Sequence, residues 1–146
     1  MNLLGIDPGR NGALALLDCE TLQVVTWDMP TDIPALHDLI CSVPEVRLCV
    51  LEQIHAGPQM GRKSIAAMFE QYGALKGALS WRSIPVQTVR PSVWKRALNV
   101  PADKSAARRR ASEFYPDCAG QWRLAKHDGR AEAAMLAWYG RGLGRR

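Results

Sequence analysis

The stretch Leu4-Gly5-Ile6-Asp7-Pro8-Gly9 constrains this chain more than any other. An apolar entry carries one acid to the end of a predicted strand, and Pro-Gly then turns the backbone sharply. Asn11-Gly12 follows, and Ala13-Leu14-Ala15-Leu16-Leu17 begins a second apolar run, so the segment reads as strand, tight turn and returning strand. Asp7 admits two readings at this point. Asp is at home in turns, but a carboxylate at the end of a buried strand is uncommon unless it is paired or bound to a cation.

With 146 residues, the chain is expected to form one domain, 1–146, with a short basic tail over about 141–146. At 47% hydrophobic residues it has ample material for a core, which excludes disorder. No apolar run is long enough to span a bilayer, and the N-terminus lacks the pattern of a secretory leader. The expected location is therefore the cytoplasm, without membrane association. Cys19, Cys41, Cys49 and Cys118 have neither paired spacing nor a His cluster beside them, and read as reduced thiols. Charge is unevenly divided. Residues 1–83 hold 6 Lys/Arg against 9 Asp/Glu, whereas residues 84–146 hold 13 against 5. A basic excess confined to one half points to a polyanionic partner, most simply nucleic acid.

Hydrophobic periodicity predicts strands over 2–7, 12–18 and 22–27, then a helix capped by Thr31 or Asp32 and ending near Cys41. Residues 46–51 read as a buried strand running straight into Glu52, and 56–63 as a loop containing Arg62 and Lys63. Ile65, Met68, Phe69, Tyr72, Leu75 and Leu79 fall at helical spacing over 64–81. A strand over 84–89 and helices over 91–98, 103–115 and 128–140 complete the plan, with Pro91 suited to a first helical turn. Three antiparallel strands followed by alternating helices and strands imply an α/β fold, a mixed sheet with helices on its faces.

That plan brings the carboxylates into relation. Asp7 and Glu52 both end apolar strands, and meet at one edge if those strands are neighbours. Asp128 and Glu132 share one face of the last helix, where like charges repel. A hard divalent cation, Mg²⁺ or Mn²⁺, turns that cost into a gain. Two such ions about 3.5–4 Å apart can activate water and stabilise a leaving oxygen in phosphodiester cleavage. Each acid also has a plainer reading: helix capping for Asp128, and pairing with Arg130 or Lys126 for Glu132.

Leu4-Gly5-Ile6-Asp7-Pro8-Gly9, then Leu51-Glu52-Gln53, then an acidic C-terminal helix resembles the RuvC-type Holliday-junction resolvases in nearly its whole length and in order. The resemblance implies a ribonuclease H-like five-stranded sheet, a homodimer and divalent-metal catalysis by Asp7, Glu52, Asp128 and Glu132. Pro91-Ser92-Val93-Trp94-Lys95 and Ala102-Asp103-Lys104 are similar to the family's lysine-bearing segments, which implies phosphate contacts for Lys95 and Lys104. One departure bears on the ligands. The family usually spaces its last two ligands three residues apart, but Gly129 stands three before Glu132. Asp128 at four residues or His127 at five would supply the other ligand. A compact phage or prophage relative, acting in a bacterial or infected-host cytoplasm, fits the short chain.

The implied activity is a crossover junction endodeoxyribonuclease that nicks four-way DNA symmetrically, leaving 5′-phosphate and 3′-hydroxyl ends. Arg62, Lys63 and Arg108 join Lys95 and Lys104 as expected DNA contacts, although Arg108, Arg109 and Arg110 face different sides of their helix. Phe69 and Tyr72 are expected in the core or an interface, and Trp94, Trp122 and Trp138 in packing. Two other readings stand beside this one: a broader debranching nuclease acting on forks and flaps, and a branched-DNA binder without chemistry. A sugar-kinase-like ATPase, which shares the Gly-Ile-Asp-x-Gly opening, needs far more chain.

Overall fold

The computed structural model describes residues 1–143. In chain order the elements are β1 (Asn2–Asp7), β2 (Ala13–Asp18), β3 (Val24–Asp28), α1 (Ile33–Ser42), β4 (Val46–Glu52), α2 (Arg62–Trp81), β5 (Val86–Val89), α3 (Pro91–Ala97), α4 (Lys104–Phe114) and α5 (Asp128–Leu143). Two 3-10 segments, Pro116–Trp122 and Ala125–His127, link the last two helices. The strands form one sheet in the order β3-β2-β1-β4-β5, with β1, β2 and β3 antiparallel and β4 and β5 parallel to β1. None of the described helices is long and apolar enough to cross a membrane.

Strand alternation divides the core in two. Leu4, Ile6, Leu14, Cys49 and Leu51 pack with α1 and α2 on one face. Leu3, Ala13, Ala15, Leu17 and Val50 pack with Trp94 of α3, Ala111 of α4 and the alanines of α5 on the other. By the same alternation, Asp7 follows Leu3 and Gly5 onto the α5 side, and Glu52 follows Val50. Because β1 and β4 are neighbours, with Ile6 opposite Leu51, the two acids end adjacent strands on one face. Gly5 allows α5 to come this close: a Cβ there would overlap the Ala133 carbonyl oxygen and the Ala137 amide nitrogen.

Several boundaries differ from expectation for identifiable reasons. β3 starts at Val24 because Leu22 sits in the left-handed region at φ 59° in a turn organised by the Asp18 carboxylate, which accepts from Glu20 N and Thr21 Oγ1. β5 starts at Val86 because Ser83 (φ 53°) turns the chain and Ile84 N donates to Leu79 O, closing α2. The 56–63 loop is shorter than read. Arg62 and Lys63 lie in the first turn of α2, with Gly61 as an N-cap that has no side chain to announce it. Phe69 is not in the core. It is 50% exposed, since the buried stripe of α2 begins only at Tyr72 and runs on through Leu75 and Leu79. Asp32 and Asp103 cap α1 and α4 through Ala35 N and Ala106 N. The 3-10 segment Pro116–Trp122 has no periodic signature in the sequence. It covers the edge of β3, where Gln121 Oε1 accepts from Thr26 N and Gln121 Nε2 donates to Val24 O. The cysteines are all free, with Cys49 and Cys118 buried. Of the expected basic tail, Arg141 lies in α5, while residues 144–146, with Arg145 and Arg146, lie outside the described residues.

Candidate metal centre

Asp7, Glu52 and Glu132 converge. One carboxylate oxygen from each lies within 4.8 Å of the others, where the ends of β1 and β4 meet the first turns of α5. Three acids this close repel one another, and the protein surroundings screen them poorly. Burial pushes the Asp7 carboxyl up from 3.8 to about 8, and the neighbouring Glu132 and Glu52 charges add to the effect. Glu52 is also raised, chiefly by burial, with a hydrogen bond from Trp94 acting in the opposite direction. The Trp94 indole Nε1 donates to Glu52 Oε2 at 2.7 Å. Lys95 Nζ donates to Glu132 Oε1 at 3.0 Å. The cluster therefore holds one cation of its own against three acids, a deficit of positive charge.

Asp128 stands apart from this group. It lines the same cleft as Asp7 and Glu132, a hollow of about 710 Å³, but its carboxylate is engaged by Arg108 and lies 3.8 Å from Lys104 Nζ. The repulsion expected between Asp128 and Glu132 is thus relieved by separate cations from α3 and α4. Nor does His127 belong to the cluster. Its Nδ1 is buried without a hydrogen-bond partner, and burial lowers the ring's affinity for a proton. Gly129, at the spacing where the resemblance puts a ligand, has no room for a side chain. A Cβ there would lie 2.5 Å from Asn11 O and 3.0 Å from Gly12 Cα. α5 passes this close to the β1–β2 turn at Gly129, which is buried.

The expected DNA-contacting cations separate into two sets. Arg62, Lys63 and Lys104 are exposed, whereas Lys95 and Arg108 are half-buried and face carboxylates. Arg109 donates to Ser105 Oγ, and Arg110 to Leu98 O and Glu113, so the three consecutive arginines do point to different partners. Arg130 pairs with Asp28, both bonds at 2.7 Å, and not with Glu132. Trp94, expected in packing alone, also donates to one of the three converging acids. Its signal was adjacency: it precedes Lys95, and an indole buried on one helix face must find an acceptor.

The donor set suits a hard divalent cation. Oxygen-only, anionic ligands favour Mg²⁺ or Mn²⁺ over softer metals, and Asp7, Glu52 and Glu132 would hold it.

No protein-family model matches the chain, nor does any curated protein. Solved structures do. RuvC of Thermus thermophilus in complex with a Holliday junction substrate superposes with a TM-score of 0.70 at 17% identity, covering 99% of this chain and 96% of the other. The fowlpox virus Holliday junction resolvase gives 0.59 at 16% identity, covering 98% and 99%. The fowlpox resolvase bound to its substrate Holliday junction DNA gives 0.53 at 14%, covering 100% of both. The mixed five-stranded sheet with helices on both faces is the ribonuclease H-like fold of the RuvC-type resolvases, and this chain has that fold across its described length.

Proposed function

We propose that the chain, as one nuclease domain acting as a homodimer, is a divalent-metal-dependent endonuclease that resolves four-way DNA junctions. The convergence of Asp7, Glu52 and Glu132 carries this reading, because acids clustered beside DNA-binding cations repel the substrate unless metal intervenes. The fold shared with resolvases bound to junction DNA supports the choice of substrate.

Asp7, Glu52 and Glu132 form the primary cation-holding set. Asp128, on the same cleft, is the fourth acid and becomes available when Arg108 turns from it to a phosphate. A divalent ion held by these acids would supply Lewis-acid chemistry, lowering the pKa of an attacking water and stabilising charge on the scissile phosphate. The Asp7 carboxyl, whose affinity for a proton is raised by burial and the neighbouring acids, would release that proton to ligate a divalent ion. Lys95 and Lys104, from α3 and α4, meet the phosphates flanking the cut, while Arg62 and Lys63 on α2 take the backbone further along. In-line attack leaves 5′-phosphate and 3′-hydroxyl ends. Two subunits about a two-fold axis match the symmetry of the junction and nick it in pairs.

The test is cleavage of a labelled four-way junction beside a Y-fork and linear duplex, with Mg²⁺, Mn²⁺ or EDTA. Paired symmetric nicks confined to the junction and to metal are the expected result, and Asp7→Asn should abolish them while leaving junction binding. Equal cutting of every branched substrate would replace the proposal with a debranching activity. Binding without cutting under either metal would reduce the protein to a binder.

A further inference from the structure

Trp94 is fully buried in the sheet–α5 core, and its indole N–H donates into the acidic cluster. A buried indole needs an acceptor, but an uncharged one suffices: the equally buried Trp122 donates to Ser112 Oγ at 3.0 Å. The acceptor of Trp94 is instead Glu52, one of the three converging carboxylates. Among the described residues Glu52 accepts no other side-chain hydrogen bond, so Oε1 is left for a ligand. A glutamate has three side-chain torsions, and repulsion from Asp7 and Glu132 drives it towards solvent. A charge-assisted bond from a rigid donor opposes that drift. The donor is rigid because its ring is packed on all sides, and α3 begins on Pro91. The next residue, Lys95, lies over the Trp94 ring at 5.3 Å from its centroid and grips Glu132, so two consecutive residues of α3 each hold one acid.

We infer that Trp94 is a positioning residue, whose indole N–H fixes the Glu52 carboxylate in the orientation that takes a divalent cation together with Asp7 and Glu132. This inference rests on the metal-dependent reading above. Partners that orient a metal ligand in this way are commonly worth about 10–100-fold in metal affinity.

The experiment is Mn²⁺ binding, followed by electron paramagnetic resonance, for the parent, Trp94→Phe and Trp122→Phe, each with its Tm. Both variants shorten a buried ring, but only one removes a donor to Glu52. Trp94→Phe is expected to weaken Mn²⁺ about tenfold or more, while Trp122→Phe loses Tm and keeps the parent's affinity. Equal affinity of parent and Trp94→Phe, or equal losses in both variants, overturns the inference and leaves the nuclease proposal intact. A parent that binds no Mn²⁺ overturns both. Should Trp94→Phe fail to fold, the indole N–H resonances of the parent decide the matter. The signal that moves in Glu52→Gln is that of Trp94. It is expected to shift on addition of Mg²⁺ while that of Trp122 stays in place. A Trp94 signal indifferent to Mg²⁺ refutes the role.

Discussion

Asp7→Asn is expected to make the metal-free protein more stable while destroying its proposed activity. The unfolded chain releases the Asp7 proton near 3.8, and the folded chain near 8, because burial and the Glu132 and Glu52 charges disfavour the anion. Between those values the folded state binds more protons than the unfolded one, so stability falls as pH rises. At pH 7, holding the carboxyl neutral against its ordinary tendency to ionise costs at most about 4 kcal/mol. Asp7 retains some solvent contact, which reduces the working expectation to about 2 kcal/mol. Asn has nearly the same shape and no proton to lose, and recovers that amount.

For a chain of this size about 2 kcal/mol corresponds to roughly 5–10 °C in Tm. The assay is thermal unfolding of parent and Asp7→Asn in EDTA from about pH 3 to 8.5, a range that starts below the unfolded value of 3.8. The two curves should nearly coincide at the acid end and separate progressively up to about pH 8, where the parent's loss levels off. Adding Mn²⁺ at pH 8 should reverse the order, since a ligand stabilises only the protein that binds it. A variant that is no more stable than the parent at pH 8 in EDTA would refute the argument that the site is short of positive charge.

Other consequences are as direct. The parent's Mn²⁺ affinity should rise nearly tenfold per pH unit between about 6 and 7.5 and flatten near 8, as calorimetry in matched buffers would show, because one proton must leave Asp7 for each cation bound. Gly5→Val should lower stability by about 3 kcal/mol or prevent folding, seen in urea unfolding, because even its Cβ overlaps the backbone of α5. Gly129→Asp, which restores the family's ligand spacing, should cost about 2 kcal/mol without strengthening Mn²⁺ binding, since the new Cβ is 2.5 Å from Asn11 O. Lys95→Met should bind Mn²⁺ more tightly in the absence of DNA, through loss of a competing cation 3.0 Å from Glu132, and four-way DNA more weakly in a gel-shift titration.

The parts of this architecture legible in the sequence are those governed by short-range periodicity. Alternation in 2–7 and 46–52 put Asp7 and Glu52 at strand ends, and the pairing of β1 with β4 brought them to one face. Boundaries set by single backbone conformations were not legible. Leu22 and Ser83 adopt left-handed φ without being Gly or Asn, and Gly61 caps α2 with backbone alone. Which acids gather was half legible. Helical spacing put Asp128 and Glu132 on one side of α5, where both line one cleft, but only Glu132 lies within reach of Asp7 and Glu52. Arg108 on α4 and Lys95 on α3 divide the two acids between them, and helix periodicity carries no information about such tertiary partners.

The placement of those cations has a further consequence if, as proposed, the site takes a polyanion. Among the described residues, each acid on α5 is matched to a cation from a different helix, Glu132 to Lys95 and Asp128 to Arg108. The cleft thus stays nearly balanced until metal arrives, except at Asp7 and Glu52, which have no ion-pair partner there and resist ionisation. A divalent cation held by Asp7, Glu52 and Glu132 would relieve the repulsion that the pairings leave over. Glu132 and Asp128 would then be weaker counter-ions, because the same carboxylates would face a divalent charge. Lys95 and Arg108 would gain more from a phosphate than from the acids they hold. On that proposal, metal entry and phosphate capture would be coupled through these two pairs, each favouring the other by linkage. On the proposed function, the same lysine and arginine would offset the α5 acids in the metal-free protein and then help to bring the DNA backbone to them.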